Sequence, residues 1–88
     1  MYKVALSSHA LREYGKLESS LKVLVQEACQ ALERSPLNGP KIKRLAGRLH
    51  GYFRYRVGDY RVIYAVDIKE RVVYVDYVKP RKEDYRIG

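Results

Sequence analysis

The stretch from Gly51 to Tyr64 reads Gly-Tyr-Phe-Arg-Tyr-Arg-Val-Gly-Asp-Tyr-Arg-Val-Ile-Tyr, and it is the strongest structural signal in the chain. Aromatic and β-branched residues alternate with arginines on both sides of Gly58-Asp59, which is typical of two strands joined by a tight turn. A two-residue turn fixes the register of such a hairpin. The predicted cross-strand pairs, all on one face, are Val57 with Tyr60, Tyr55 with Val62 and Phe53 with Tyr64.

The opposite face of this hairpin is cationic. It is predicted to carry Tyr52, Arg54, Arg56, Arg61, Ile63 and Ala65. Arg56 lies directly across from Arg61 in this register, and like charges in that position cost from a few tenths to ~1 kcal/mol. Such a cost indicates an anionic partner for this face.

A second strand pair follows the hairpin. Residues 61–66 and 72–78 flank the sequence Asp67-Ile68-Lys69-Glu70. If Ile68 and Lys69 form the loop, Asp76 faces Arg61 across the sheet and orients its guanidinium group. A change of one residue in the loop length moves Asp76 to the other face.

Ahead of the hairpin, the pattern predicts one strand and two helices. Residues 2–6 alternate weakly and are expected to form a strand at a sheet edge or paired with a later strand. Ser7 and Ser8 are candidate N-caps of a first helix of about ten residues. The second helix starts at Ser19 or Ser20 and stops at Ser35-Pro36; its apolar stripe is Leu21, Leu24, Val25, Ala28, Ala31 and Leu32. Residues 41–49 are predicted to form a turn of helix or an ordered loop.

Length and composition indicate one small domain that spans residues 1–88. The chain has 88 residues, 47% of them hydrophobic, which is normal for a globular protein. Its apolar runs are far shorter than the ~20 residues of a membrane span, and the N-terminus has the pattern of a strand rather than of a signal peptide. We therefore expect a cytoplasmic protein without a membrane partner.

Net charge is the most informative part of the composition. Lys and Arg number 18 against 10 Asp and Glu, for a net charge of +8. Residues 1–35 hold 5 basic and 4 acidic side chains, whereas residues 36–88 hold 13 and 6. This asymmetry is expected when one surface meets phosphates or an acidic protein. A soluble basic face without a ligand is the alternative.

Most catalytic and metal-binding arrangements lack support in the sequence. The only cysteine, Cys29, borders the helical stripe and is predicted to be a buried thiol, and His9 is predicted to be solvated. There is no phosphate-binding glycine loop and no His/Cys spacing for zinc. Arginines and tyrosines remain, and they favour single-stranded RNA over duplex DNA, because arginine binds phosphate and tyrosine stacks on bases.

An arginine and tyrosine site can also cut RNA without a metal. The 2′-hydroxyl of the substrate attacks the adjacent phosphate, arginines stabilise the extra negative charge, and a proton donor protonates the leaving 5′ oxygen. Tyrosine and arginine are poor general acid or base groups near neutral pH. Such an enzyme is expected to cut free RNA slowly unless another macromolecule positions the substrate.

The helix pair and the segment Arg-x-Gly-Asp-Tyr-Arg-x-Ile-Tyr at residues 56–64 resemble the RelE/ParE superfamily of toxin–antitoxin toxins over nearly the whole chain. The resemblance implies an α+β fold, with two N-terminal helices packed on a mainly antiparallel, twisted four-stranded sheet. It implies catalytic roles for Arg61, Arg81 and Tyr85 and no metal or other cofactor. The residues expected to bind the substrate are Tyr52, Arg54, Arg56, Lys79 and Lys82. Members of the family often have lysines where this chain has Tyr52 and Arg54.

The superfamily has two branches with different targets. RelE-type toxins cut mRNA in the ribosomal A site, whereas ParE-type toxins inhibit DNA gyrase and are not nucleases. Arg81 and Tyr85 favour the RelE branch; a gyrase inhibitor and an inactive, antitoxin-binding protein remain alternatives. The expected partners are an acidic RelB-like antitoxin, the ribosome with its mRNA, and operator DNA only through the antitoxin complex.

Overall fold

The computed structural model describes residues 1–81, which form two helices on one face of a five-stranded sheet. The elements in chain order are β1 (Lys3–Leu6), α1 (Ser8–Gly15), α2 (Ser19–Arg34), β2 (Ile42–Arg44), a 3-10 turn (Gly47–Leu49), β3 (Phe53–Val57), β4 (Tyr60–Asp67) and β5 (Val72–Pro80). The strand order is β1-β5-β4-β3-β2, with β1 parallel to β5 and the other neighbours antiparallel. The predicted α+β class is confirmed.

The central hairpin has the predicted register. The observed pairs are Val57 with Tyr60, Tyr55 with Val62 and Phe53 with Tyr64. Gly58 has a φ of 57°, in the left-handed region that glycine enters without a side-chain clash. Because the side-chain period of a strand is two, this tight turn determines which residues of both strands share a face.

The hydrophobic core lies between the helices and the inner face of the sheet. Its buried members are Ala10, Val25, Ala28, Leu32, Phe53, Val57, Val62, Tyr64, Val73, Val75 and Val78. The Tyr64 ring stacks on that of Phe53 with centroids 5.4 Å apart, and its hydroxyl donates to the Pro36 carbonyl at 2.7 Å. This hydrogen bond ties the loop after α2 to the centre of the sheet.

The two helices begin where the sequence predicts. Ser7 caps α1, since its Oγ accepts from the backbone N–H of Ala10 at 3.0 Å, and α2 begins at Ser19. Helix α1 has 8 residues rather than about ten and ends at Gly15, a residue that weakens a helix. Neither helix in residues 1–81 has the length and apolar character needed to cross a membrane.

One residue of the predicted α2 stripe is exposed to solvent. Leu24 is 42% exposed, whereas Val25, Ala28 and Leu32 are buried. Leu24 lines an open groove with Tyr55 and Gly58 beside the turn of the hairpin. The stripe is therefore wider than the surface that the sheet covers.

The sheet has one strand more than expected. Part of the segment at residues 41–49 forms β2, which pairs with β3 through Ile42 opposite Tyr55. The ladder extends at both ends, because Arg56 N–H donates to the Lys41 carbonyl and Leu45 N–H to the Tyr52 carbonyl. Pairing with β3 satisfies these backbone groups, which an isolated helical turn would leave open.

Strand β5 shows that the predicted position of Asp76 is wrong. Asp67 pairs with Val72, so the turn is longer than the assumed two residues, and a β-bulge then interrupts the pairing opposite Ile63. Both features shift the register in the same direction, and Lys79 rather than Asp76 lies opposite Arg61. The bulge inserts one extra residue, so the core-facing Val75 and Val78 are three rather than two residues apart.

Candidate functional site

Three cations lie side by side on the outer face of the sheet, the face opposite the helices. Arg61 of β4 is directly opposite Arg56 of β3 on one side and Lys79 of β5 on the other. These three residues are called the cation row below. Side chains directly opposite on neighbouring strands lie on the same face and are close together, so the row concentrates positive charge.

Arg61 is the buried member of the cation row, with 5% of its surface exposed. Its Nη1 donates to the Tyr60 carbonyl at 3.1 Å, but its Nε is buried and has no hydrogen-bond partner. No carboxylate within residues 1–81 forms an ion pair with it. A buried cation with an unmet donor is stabilised by an anion that supplies oxygen acceptors, as a phosphate does.

Arg54 extends the positive charge toward β2. It pairs with Lys43 on one side and Ile63 on the other, and it shares the outer face with Arg56 because the two are two residues apart. The Nε atom of Arg54 is also buried without a hydrogen-bond partner, whereas Arg56 is exposed. Both arginines that carry a buried, unmet Nε therefore lie on the cationic face.

A tyrosine and a carboxylate lie beside this charge. The Tyr52 hydroxyl donates to Asp76 Oδ2 at 2.8 Å. This hydrogen bond, with smaller contributions from burial and from the Asp76 and Tyr77 charges, raises the pKa of Tyr52 above its ordinary value. Tyr52 is consequently held neutral, as a hydrogen-bond donor, at and well above neutral pH.

The bulge in β5 produces this contact. Val75 pairs with Tyr64 and Val78 with Val62, so Asp76 and Tyr77 together oppose the single residue Ile63. The extra residue places a carboxylate next to the aromatic rings of the outer face. Ile63 is fully buried although it lies outside the main core cluster.

Glu13 of α1, at the edge of the sheet, forms an ion pair with Lys79. Lys79 Nζ lies 2.9 Å from Glu13 Oε2, and the same carboxylate accepts from Val78 N–H at 2.7 Å through Oε1. His9 Nε2 lies 3.4 Å from Glu13 Oε2, and the His9 ring meets that of Tyr77 edge-on at 4.9 Å. The His9 side chain is 45% exposed, so it contacts solvent as predicted while its ring also packs on this cluster.

Arg81 directly follows β5, at the end of the sheet that holds the cation row. Its N–H donates to the Asp59 carbonyl at 2.6 Å, and its side chain is exposed. Arg81, Pro80, Asp59 and Tyr60 line an open pocket of about 400 Å³. The two other predicted tail residues, Lys82 and Tyr85, lie outside the described residues.

The site includes side chains that the sequence does not point to. Glu13 is three residues after an apolar position of α1, with no motif around it, and its partners lie 65 residues later in the chain. Only the four-residue spacing of His9 and Glu13, which places both on one helix face, links two members of this cluster in the sequence.

Other candidate chemistry is absent from the described part of the chain. No group of three or more His, Cys, Asp or Glu side chains within residues 1–81 is arranged to hold a metal ion. Cys29 is half-buried on α2, and burial, followed by the Glu33 charge, raises the pKa of its thiol. A raised pKa makes a thiol a weak nucleophile at neutral pH.

Comparison with known proteins settles the family. The family model described as the ParE toxin of type II toxin–antitoxin system, parDE, matches residues 4–85. The chain belongs to the RelE/ParE superfamily of type II toxins. A curated relative of this toxin, Toxin RelE of Mycobacterium tuberculosis, is 33% identical over 90 residues, which cover 99% of this chain and 89% of the relative.

Solved structures of the superfamily share the fold. The toxin–antitoxin complex RelBE2 of Mycobacterium tuberculosis contains a chain with a TM-score of 0.82 and 32% identity, covering 91% of this toxin and 98% of that chain. The archaeal RelE–RelB complex of Pyrococcus horikoshii gives a TM-score of 0.80 and 30% identity, with 94% and 98% covered. Both relatives were solved as toxin–antitoxin complexes.

Proposed function

We propose that this toxin is a ribosome-dependent, metal-independent endoribonuclease that cuts mRNA in the A site and thereby inhibits translation. The observation that carries the proposal is Arg61, buried between two other cations with an unmet Nε donor. A phosphodiester that bridges this row supplies a negative charge and the oxygen acceptor that Arg61 Nε lacks. Arginine suits this role because its planar guanidinium binds phosphate oxygens in pairs.

In the proposed reaction the RNA provides its own nucleophile. The 2′ oxygen forms a bond to phosphorus, the bond from phosphorus to the 5′ oxygen breaks, and a proton moves from the 2′-hydroxyl to the leaving oxygen by way of the protein. The products carry a 2′,3′-cyclic phosphate and a 5′-hydroxyl. Arg61 stabilises the charge of the pentavalent phosphorus, Arg81 and Tyr85 act on the leaving group, and Arg56, Arg54, Lys79 and Lys82 bind the neighbouring phosphates.

Tyr52 has a binding role in this proposal. Because its hydroxyl donates to Asp76 and its pKa is raised, it is unsuited to accept the 2′ proton. The same hydrogen bond fixes the ring two residues before Arg54, where it offers a stacking surface to an unpaired base. The lysines that often occupy this part of the site in the family are thus replaced by a stacking residue.

The positive surface also suits an antitoxin. Two solved relatives form complexes whose partner is RelB, and the net charge of +8 favours an acidic protein. We infer that a RelB-like antitoxin neutralises this toxin in the cytoplasm and that operator DNA is reached only through their complex. Competition between antitoxin and RNA for the cation row would explain the neutralisation.

The chemistry is tested on a message with one altered nucleotide. A translated mRNA that carries a 2′-deoxynucleotide at the cleaved position should remain intact at that position, whereas the all-RNA message should be cut with a cyclic phosphate end. Arg81→Ala should reduce cutting of the all-RNA message by about 10²-fold. Cleavage of the deoxy-substituted message at the same bond would exclude the 2′-hydroxyl as nucleophile.

A second function is favoured by one comparison, because the matching family model describes ParE toxins. In that case the cation row binds a carboxylate-rich or nucleic-acid surface of the gyrase complex and cuts nothing. A supercoiling assay with purified gyrase distinguishes the two functions. Inhibition of supercoiling by the wild type, together with an intact message on ribosomes, would favour the ParE activity.

A further inference from the structure

The part of β5 that extends past β1 is covered by side chains of α1. Strand β1 pairs with β5 only as far as Val75, which leaves the later backbone groups of that edge without a strand neighbour. Ser7 Oγ donates to the Asp76 carbonyl at 3.1 Å, and Val78 N–H donates to Glu13 Oε1 at 2.7 Å. These contacts satisfy the edge next to the bulge and fix α1 relative to the outer face.

The second carboxylate oxygen of Glu13 contacts Lys79, a member of the cation row. Oε2 lies 2.9 Å from Lys79 Nζ, and the two side chains are 20% and 17% exposed, so this ion pair is largely shielded from water. Since Oε1 is occupied by a backbone donor, the carboxylate is held in one orientation. His9 Nε2 lies 3.4 Å from the same Oε2.

The position of Lys79 requires an explanation, because it lies opposite Arg61. Repulsion between directly opposed cations favours a lysine that swings away into solvent, which its flexible stem allows. Glu13 opposes this movement. The Lys79 ammonium also lies 5.5 Å from the centroid of the Tyr77 ring, a second contact that holds it at the sheet.

We propose that Glu13 is a positioning residue, which holds the Lys79 ammonium at the end of the cation row where it binds a phosphate of single-stranded RNA. The inference deepens the proposed function, since it takes the cation row as the RNA phosphate site. Glu13 itself does not touch RNA. It acts through Lys79, and its own charge opposes RNA binding.

Because the charge of Glu13 opposes RNA binding, the direction of the change in Kd distinguishes a positioning role from a purely electrostatic one. Glu13→Gln keeps an oxygen acceptor for Val78 N–H but removes the charge that holds Lys79. If Glu13 were only an acidic side chain near the site, its removal would tighten RNA binding through long-range attraction. If Glu13 positions Lys79, the same substitution should raise the Kd by about tenfold.

The experiment measures the Kd of a short, fluorescently labelled single-stranded RNA with 2′-O-methyl groups, which the toxin cannot cut by the proposed chemistry because no free 2′-hydroxyl is present. Four proteins form a cycle: the wild type, Glu13→Gln, Lys79→Met and the double variant. Both single substitutions should weaken RNA binding similarly, and the double variant should bind no more weakly than Lys79→Met. In each of the three variants the slope of log Kd against log salt concentration should become shallower by about 0.7. Glu70→Gln, which removes the same charge from the exposed β4–β5 turn, is the matched control and should not weaken binding.

Several results would overturn the inference. One is that Glu13→Gln binds the RNA as tightly as the wild type or more tightly. Another is that Glu13→Gln changes the Kd equally in the wild type and in Lys79→Met. A third is that the wild type shows no measurable RNA binding. Urea unfolding of each variant separates positioning from folding, because a purely structural role would lower stability while leaving the salt dependence unchanged. Failure of mRNA cleavage on ribosomes would refute the nuclease function alone, since the oligonucleotide measurement requires no catalysis.

Discussion

Replacing Arg61 by methionine should stabilise this toxin while removing its phosphate site. The side chain of Arg61 is 5% exposed, faces Arg56 and Lys79, and has a buried Nε without a partner. Relief of two directly opposed like charges contributes from about 0.5 to 2 kcal/mol. Relief of the unmet donor contributes about 1–3 kcal/mol more.

One favourable interaction is lost in the variant, the hydrogen bond from Nη1 to the Tyr60 carbonyl, which is worth about 0.5–1.5 kcal/mol. Methionine is unbranched and retains most of the aliphatic volume of arginine, so it leaves no large cavity. The net expectation is an increase of about 1–3 kcal/mol in the free energy of unfolding. For a domain of this size each kcal/mol raises Tm by about 4–8 °C.

The assay is urea unfolding monitored by circular dichroism, first at low salt and then with added inorganic phosphate. The variant should be more stable than the wild type at low salt, and the difference should shrink as phosphate binds the wild type and stabilises it. Lys69→Met, which removes one charge from the exposed turn at the far end of the sheet, is the control and should change stability by less than about 0.5 kcal/mol. A variant that is less stable than the wild type at low salt, with an unchanged spectrum, would refute the view that Arg61 is held at a cost to the fold.

Two further predictions concern tyrosines. Tyr64→Phe should lower the free energy of unfolding by about 1–3 kcal/mol, because the buried Pro36 carbonyl loses its donor; Tyr74→Phe, at an exposed position, is the control, and equal effects of the two would contradict the role of the hydrogen bond. Tyr52→Phe removes the hydrogen bond to Asp76 that raises the pKa of Tyr52. A raised pKa in the folded state means that the extra stability of the wild type is complete below the unfolded pKa of ~10 and is lost as the pH rises through the folded value. A stability difference between the wild type and Tyr52→Phe that instead vanishes as the pH falls from 9 to 7 would contradict this assignment.

The register of the central hairpin follows from the sequence for a physical reason. A period of two and a two-residue turn at Gly58 leave one arrangement that places every aromatic and β-branched partner on the core face. The same argument correctly sets Arg56 opposite Arg61. Local pattern and turn geometry were sufficient here because both act between neighbouring segments.

The register of β5 could not be obtained in the same way. The core-facing valines Val73, Val75 and Val78 depart from a period of two where the bulge inserts a residue, and a register counted from the turn alone misses that departure. The contacts from α1 to the site could not be predicted from the sequence either. Glu13 and His9 reach β5 through the packing of a helix on a sheet edge, and nothing in their local sequence specifies that packing.

The family resemblance predicts a phosphate-binding role for Arg61 but does not predict its burial. Burial follows from its central place in the sheet, with Arg56 and Lys79 on the two neighbouring strands. The structure therefore adds a physical reason for anion binding to a residue that the motif only marks. The roles of Arg81 and Tyr85 remain predictions from the resemblance.

The proposed function requires that the cation row binds the RNA phosphate that this toxin cuts. Primer extension on a message translated by purified ribosomes measures this cutting, with the wild type, Arg61→Ala and the control Lys69→Met. We expect discrete cuts in the message with the wild type and the control, and a loss of at least about 10²-fold with Arg61→Ala. An intact message with the wild type, or undiminished cutting by Arg61→Ala, would contradict the claim.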